Sequence, residues 1–468
     1  MSIELPEEFR IRMQEQLGDD YPAFLHSFDE PAVKAFRLND QVISADTFED
    51  FEASHTELQY EKIPEMQSSY YYDADVRVGR SAFHHAGIIY SQDPSAMLVT
   101  EGLQFPVKKR VLDLCAAPGG KSVQLAQKLA ATGGLLVSNE PDKARNSVLC
   151  SNIERMGFKN VIVTCMYPAE LATYYPAYFD LILVDAPCSG EGMFRKYPES
   201  VSEWSLENVE RCAERQKEIL ESAAAMLKPG GTLVYSTCTY AVSEDEDIVD
   251  HISEHLGLEL NEAPDIVKKY CKEVPVNKGS AYRFYPHISK GEGQFMAYFK
   301  KPGELFEEIR DDENIFLQGI KKADRECLKM IEDAFDGMPE IDDSRIFRIN
   351  DMLIYVPAGL SGNLPKGCVT KPGVKIGTIE KKRLVPHHDF FSAFGYNIKN
   401  RLEMSEYKEE LYAYLHGEEL RLSQFGENAY CGGTKGFGVV TFLGVPVGGF
   451  KLAGGRIKNH YPKGLRNL

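Results

Sequence analysis

The chain has 468 residues, 43% of them hydrophobic and 26% charged, with a formal net charge of −17. That composition is ordinary for a folded protein of roughly two to four domains, and the negative balance excludes indiscriminate binding to nucleic acid. The charge is uneven, however. After Glu427 there is no acidic residue, whereas Lys435, Lys451, Arg456, Lys458, Lys463 and Arg466 are basic, which does not exclude RNA and suits a selective binder better than a general one.

No apolar run approaches the roughly 20 residues of a membrane span. The acidic start, Met1 to Glu8, has no signal-peptide core, so a cytoplasmic protein is expected. The ten cysteines show no CxxC pair; reduced thiols are expected, with neither a zinc cluster nor a disulfide framework.

Taken in order, residues 1 to about 65 alternate helical pattern with polar breaks. Phe9, Met13 and Leu17 recur at helical spacing before Gly18, and Asp46 to Phe51 starts another short helix. Tyr70-Tyr71-Tyr72 and Phe83-His84-His85 form an aromatic-rich segment. Such a segment can stack on unpaired bases, but packing of a domain junction is the favoured expectation. Ser91 to Leu103 reads as a helix leading into the first core strand.

Strands are then expected at 111–114, 134–138, 161–164, 181–184, 232–236 and 295–299, with helices near 122–131, 142–156 and 204–227. The last helix meets Lys228-Pro229-Gly230-Gly231, a strong stop. Strand–helix alternation of this kind implies a mostly parallel sheet with helices on both faces. Beyond Lys301, residues 303–345 read as acidic and helical. Short β-like runs with Gly and Pro turns follow from 346 to 385, and Gly-rich strands such as Gly438 to Leu443 end the chain.

The organising stretch is Arg110 to Ser122. Val111 to Leu114 is a buried strand; Cys115-Ala116-Ala117-Pro118-Gly119-Gly120-Lys121 makes a turn, and a helix follows. Such a corner presents backbone N–H groups to an anionic ligand. A P-loop needs Gly six residues before its Lys, and Cys115 stands there; G-x-G-x-x-G is also absent. S-adenosylmethionine remains the leading ligand. Glu140, 20 residues after Gly120 and at the end of the second strand, fits a ribose-binding carboxylate, and Arg145 is a further pocket candidate.

Strand four ends in Asp185-Ala186-Pro187-Cys188 and strand five in Ser236-Thr237-Cys238. In the order 3-2-1-4-5 these strands are neighbours about 4.8 Å apart, so both thiols would open into one cleft. A thiol beside a methyl donor suits carbon 5 of cytosine, a poor nucleophile. Addition of a thiolate to carbon 6 makes carbon 5 able to attack the sulfonium methyl. Asp185 is placed to pair with the amine and ring nitrogen of the adduct. These residues alone do not rank the two cysteines.

Leu112 to Ser122, Asp185 to Gly192 and Ser236-Thr237-Cys238 together resemble the NOL1/NOP2/Sun family of RNA 5-methylcytosine methyltransferases, with likeness over nearly the whole chain. Tyr285-Pro286-His287 with Gly293-Gln294-Phe295 is similar to a further family motif, although Gly-Phe-Phe is more usual there. Leu5 to Phe9, Tyr21 to Phe24 and Lys458 to Arg466 look like the bacterial F-type branch that modifies 16S rRNA.

The resemblance implies a Rossmann-like class I methyltransferase core (101–302) behind a helical N-terminal cap (1–100). It further implies a linking α+β region (303–390) and a PUA-like RNA-binding module (391–468). It makes Cys238 the nucleophile and Cys188 the cysteine that assists product release. Cys115, Ala116, Ala117, Pro118, Gly119, Gly120, Lys121, Glu140, Arg145 and Asp185 become contacts to S-adenosylmethionine. The implied partner is RNA, 16S rRNA or the 30S subunit, with no membrane, no metal and a monomeric enzyme. Many relatives place an adenine-binding Asp after strand three, where this chain has Thr164-Cys165-Met166-Tyr167. The rival readings are a non-catalytic assembly factor and a cytosine methyltransferase acting on tRNA or DNA.

Overall fold

The computed structural model of the chain describes residues 4–55, 58–73, 75–304, 316–317, 319–359, 363–365 and 367–466. Phe9, Met13 and Leu17 are buried on one face of α1 (Glu7–Leu17), which α2 (Tyr21–Ser27) follows. The chain continues through β1 (Ala35–Leu38), α3 (Ala45–His55), β2 (Tyr60–Lys62), β3 (Ser69–Tyr72), α4 (Ala82–His85) and β4 (Ile89–Ser91). The expected helices are present. Between them lies an antiparallel sheet of order β2-β3-β1-β4 that the helical spacing did not announce.

The aromatic-rich segment packs a junction, as favoured. Phe36 stacks on Tyr70 with ring centroids 5.3 Å apart, and Phe83 meets Phe442 edge-on at 5.2 Å. His85 Nδ1 lies 2.6 Å from the Tyr461 hydroxyl. One apolar core thus joins the N-terminal sheet to the C-terminal one.

The core runs α5 (Pro94–Glu101), β5 (Arg110–Asp113), α6 (Gly120–Ala130), β6 (Leu135–Asn139), α7 (Lys143–Arg155), β7 (Val161–Thr164), α8 (Pro168–Tyr174) and β8 (Phe179–Asp185). It goes on through α9 (Glu199–Glu203), α10 (Leu206–Met226), β9 (Leu227–Thr237), α11 (Glu246–His255), β10 (Glu259–Asn261), α12 (Asp265–Tyr270), β11 (Lys272–Val276), β12 (Gly279–Phe284) and β13 (Gln294–Lys300). Strands β7-β6-β5-β8-β9 are parallel neighbours, which is the expected 3-2-1-4-5 order. β13, β12 and β11 extend the sheet antiparallel. Apolar side chains fill both faces.

Lys228 to Gly231 acts differently from a loop stop. α10 already ends at Met226, and the four residues form an irregular start to β9. The register there jumps from Phe179↔Leu227 to Leu181↔Thr232. Pro229 pushes Lys228 out of the helical region, and Gly230 adopts φ +72°, which a glycine tolerates best.

Of the stretch read as acidic and helical, Arg325–Phe335 is a helix whereas Lys321–Lys322 is a strand; residues 305–315 and 318 lie outside the described residues. The β-like runs after 345 give four strands of a five-stranded sheet whose edge strand is Lys321–Lys322, and residues 401–459 contribute a six-stranded one. Val369–Lys371 leaves this neighbourhood and pairs antiparallel with β7, covering the core sheet's edge. Among the described residues no helix is long and apolar enough to cross a membrane.

Lys371 anchors that added strand through a fully buried ion pair, its Nζ 2.5 Å from Asp389 Oδ2. Removing one partner of such a pair strands a charge in the interior. Lys371→Met should therefore lower stability by about 3–5 kcal/mol in urea unfolding, and the double change Lys371→Met/Asp389→Leu should recover part of the loss.

Candidate active site

A cavity of about 990 Å³ opens at the carboxyl ends of β5, β6, β8 and β9. Its floor is the turn after β5. Ala116 N donates to Asn139 O at 2.9 Å, tying this turn to the end of β6. Gly119 takes φ +116° and precedes α6 without a side-chain cap. Cys115, Ala116, Ala117, Pro118, Gly120 and Lys121 line the cavity. Gly119 is not among them, and a Cβ there would meet Leu149 Cδ1 at 3.1 Å, so its part is to make the turn. Burial pushes the Cys115 thiol well up, which leaves it an inert wall residue.

Glu140 is 2% exposed and also lines the cavity. Its Oε1 accepts from Asp142 N at 3.0 Å and its Oε2 lies 3.4 Å from Arg145. Arg145 in turn donates to Ala117 O at 3.0 Å. Tyr167 lines the same end and is 73% exposed. Asn139 holds the backbone before it, donating to Met166 O at 3.0 Å.

The two strand-end thiols meet. Cys188 Sγ lies 3.3 Å from Cys238 Sγ, and Cys238 N donates to Cys188 Sγ at 3.3 Å. The hydrogen bond to Cys238 and then burial push Cys188 well above the ordinary thiol range, so Cys188 keeps its proton at neutral pH. Beside them Asp185 Oδ2 pairs with Lys121 Nζ at 2.8 Å. Asp185 Oδ1 accepts from Ser236 Oγ at 2.7 Å and faces Gln294 Nε2 at 3.4 Å.

Two carboxylates that spacing did not single out brace these loops. Glu191 is fully buried and accepts from Arg12 at 2.6 Å, Trp204 Nε1 at 2.8 Å and Tyr240 N at 3.1 Å. It thereby ties α1 to the loops that carry Cys188 and Cys238, and Gly192 N donates to Cys238 O at 2.9 Å. Glu244 accepts from Ser189 N at 3.0 Å, Ser189 Oγ at 2.5 Å and Gln216 Nε2 at 3.0 Å. It fixes the residue next to Cys188.

The cavity fits a charged nucleoside such as S-adenosylmethionine. Asp113 Oδ1, Asp93 Oδ2 and both amide atoms of Gln92 are buried without a hydrogen-bond partner, and all three residues line the cavity. Buried polar atoms normally have partners, and this wall gathers four that have none. Burial pushes Asp113 up to about 7; a ligand cation there would draw it back down. Among the described residues no group of three His, Cys, Asp or Glu side chains is placed to hold a metal ion.

Comparison with known proteins agrees with this geometry. Residues 102–300 match the family described as 16S rRNA methyltransferase RsmB/F. Residues 5–94 match the N-terminal domain of 16S rRNA methyltransferase RsmF, and 384–467 match the methyltransferase RsmF PUA domain. The ribosomal RNA small subunit methyltransferase F of Aliivibrio salmonicida is 29% identical over 99% of this chain and 98% of its own. Its counterpart from Shewanella amazonensis is 28% identical over 94% and 93%. Among solved structures, a methyltransferase homolog from Pyrococcus horikoshii covers 64% of this chain and 96% of its own, at 25% identity and TM-score 0.55. NSun6 from the same organism, solved with SFG, shares the fold at 21% identity and TM-score 0.57, covering 65% and 100%.

Glu244 generates a pH prediction. Burial raises it from an ordinary 4.5 to about 7, so the folded state binds its proton more tightly than the unfolded chain does. The associated stability is present below pH 4.5 and is lost as pH rises through 7. The loss amounts to roughly 3 kcal/mol. Glu244→Gln, which keeps the hydrogen bonds without the charge, should remove that component, read as a flatter dependence of the urea midpoint between pH 5 and 8.

Proposed function

The chain belongs to the RsmB/F family of 16S rRNA methyltransferases, and from that premise we propose that it forms 5-methylcytosine in 16S rRNA, near the decoding site, through a covalent bond between Cys238 and the base. The observation that carries this reading is the pair of thiols 3.3 Å apart, flanked by the Asp185–Lys121 ion pair. S-adenosylmethionine, when bound, supplies an electrophilic methyl group. Cys115 to Lys121, Glu140, Arg145 and Asp185 are the residues that would hold it.

The chain's own residues prepare the base. The Cys238 thiolate adds to carbon 6 of the cytosine, and the electron pair of the 5,6 double bond is then available at carbon 5. Asp185, held by Lys121 and Ser236, accepts from the exocyclic amine and the protonated ring nitrogen, stabilising the adduct. Once carbon 5 carries its methyl group, its proton and the one on the ring nitrogen pass to water, and the pair from the carbon–hydrogen bond re-forms the 5,6 double bond as the sulfur–carbon bond breaks, its electrons leaving on Cys238. The Cys188 thiol, hydrogen-bonded to the departing sulfur, stabilises the thiolate that Cys238 becomes. The target base must leave its stack to reach this site.

In this reading residues 101–302 carry out transfer behind the cap formed by 1–100, residues 303–390 link the two halves, and 391–468 hold the RNA. The C-terminal match to a PUA domain and the run of basic residues after Glu427 support that last assignment. The enzyme acts in the cytoplasm as a monomer on 16S rRNA, free or in the 30S subunit; the names of its relatives support the substrate.

Cys238→Ala should abolish transfer of labelled methyl groups to 16S rRNA; transfer at the wild-type rate would contradict the reading. Cys188→Ala should retain bond formation and slow release, so that a protein–RNA adduct survives on denaturing gels. Absence of an adduct would remove Cys188 from the release step.

A further inference from the structure

Among the described residues, four cations line the cavity: Lys121, Arg145, Lys196 and Arg215. The first two are committed, Lys121 to Asp185 and Arg145 to Glu140. Among the described residues, Lys196 and Arg215 pair with no carboxylate. Glu218 stands three residues from Arg215 on α10 and lines the same cavity, but no ion pair joins them, so the guanidinium stays open to an anion. Beside Lys196 stands Tyr197, a lining residue that is 47% exposed. The Lys196 ammonium lies 5.7 Å from its ring centroid.

All three belong to the side of the cavity that holds the thiols. Lys196 and Tyr197 continue the loop after Cys188, in which Gly192 N donates to Cys238 O at 2.9 Å. Gln216, next to Arg215, donates through Nε2 to Pro187 O at 3.1 Å, which sets this part of α10 against the residue before Cys188. The loop is anchored by its buried members. Phe194 is fully buried, and Arg195 donates to Glu292 at 2.9 Å, Ser27 O at 3.0 Å and Gly291 O at 2.7 Å. Lys196 N and Tyr197 N both donate to Met193 O, at 3.0 and 2.8 Å. The phenol ring is thus held out of the core on a fixed backbone.

A nucleotide strand supplies what this rim lacks. When the target cytosine leaves its stack for Cys238, the base next to it loses a stacking partner. An exposed aromatic ring takes up the bared face, and uncommitted cations take up phosphate charge. We propose that Tyr197 stacks on the base adjoining the target cytosine while Lys196 and Arg215 hold the phosphates that flank it. The loop after Cys188, and not the C-terminal domain alone, then grips the RNA. The inference rests on the RNA-methyltransferase reading and names the surface by which the flipped strand is held.

Methyl transfer by the full chain to unmodified 16S rRNA, free and assembled into 30S subunits, tests this. Tyr197→Ala should lower kcat/KM for the RNA about tenfold, whereas Tyr197→Phe, which keeps the ring, should retain most of the wild-type value. Lys196→Met combined with Arg215→Met should reduce the slope of log affinity against log salt by about 0.7 for each cation removed. Calorimetry should show S-adenosylhomocysteine bound equally well by every variant, which also certifies that each is folded. Tyr197→Ala at the wild-type rate, Tyr197→Phe as slow as Tyr197→Ala, or an unchanged salt slope would overturn the proposal. Weakened S-adenosylhomocysteine binding would assign the rim to the methyl donor and overturn it too. A wild-type chain that methylates neither form of the RNA would overturn the RNA reading itself, and this inference with it.

Discussion

Asp185 sits opposite Ser236 where β8 and β9 run side by side, and Ala186 N continues the ladder to Ser236 O at 2.8 Å. Parallel strands are held about 4.8 Å apart by their hydrogen bonds. Three residues on from Asp185 and two on from Ser236, the loops have had little length in which to diverge. Cys188 and Cys238, one from each strand, therefore meet at their sulfur atoms. The remaining architecture serves that meeting: the turn after β5 brings Lys121 against Asp185, and the loops beyond the thiols are pinned rather than left to solvent.

Pinning is achieved with charge in a dry interior. Glu191 and Glu244 are both fully buried, a costly placement for a carboxylate unless its oxygens are satisfied. Each takes three hydrogen bonds, Glu191 from Arg12, Trp204 and Tyr240 and Glu244 from Ser189, twice, and Gln216. Such networks specify one arrangement because partial satisfaction is unfavourable. Arg12 explains why α1 belongs to the active site: Phe9, Phe24 and Phe28 pack with Phe194, Trp204, Tyr240 and Tyr285 directly over these loops.

The sheet order, the strand-end cysteines and the turn at Cys115 to Lys121 were legible because each depends on local pattern. Short apolar runs inside strands of four to seven residues mark β5 to β8, and the order of such units is strongly constrained. The N-terminal sheet was not legible. β1 is only four residues long and buried at every position, so it shows no alternation. The strand Val369–Lys371 pairs with β7 across some two hundred residues of chain, and no local signal announces such a partner. Glu191 showed no signal of its own in the sequence, since its partner Arg12 stands 179 residues away.

Activation of carbon 5 by a thiol is the central claim, and hydrogen at that carbon reports on it directly. RNA carrying tritium at carbon 5 of cytosine can be offered to the full chain with S-adenosylmethionine. Covalent activation predicts that one tritium is released to water for each methyl group gained. Methyl transfer without tritium release would place the new group on nitrogen or ribose and contradict the account.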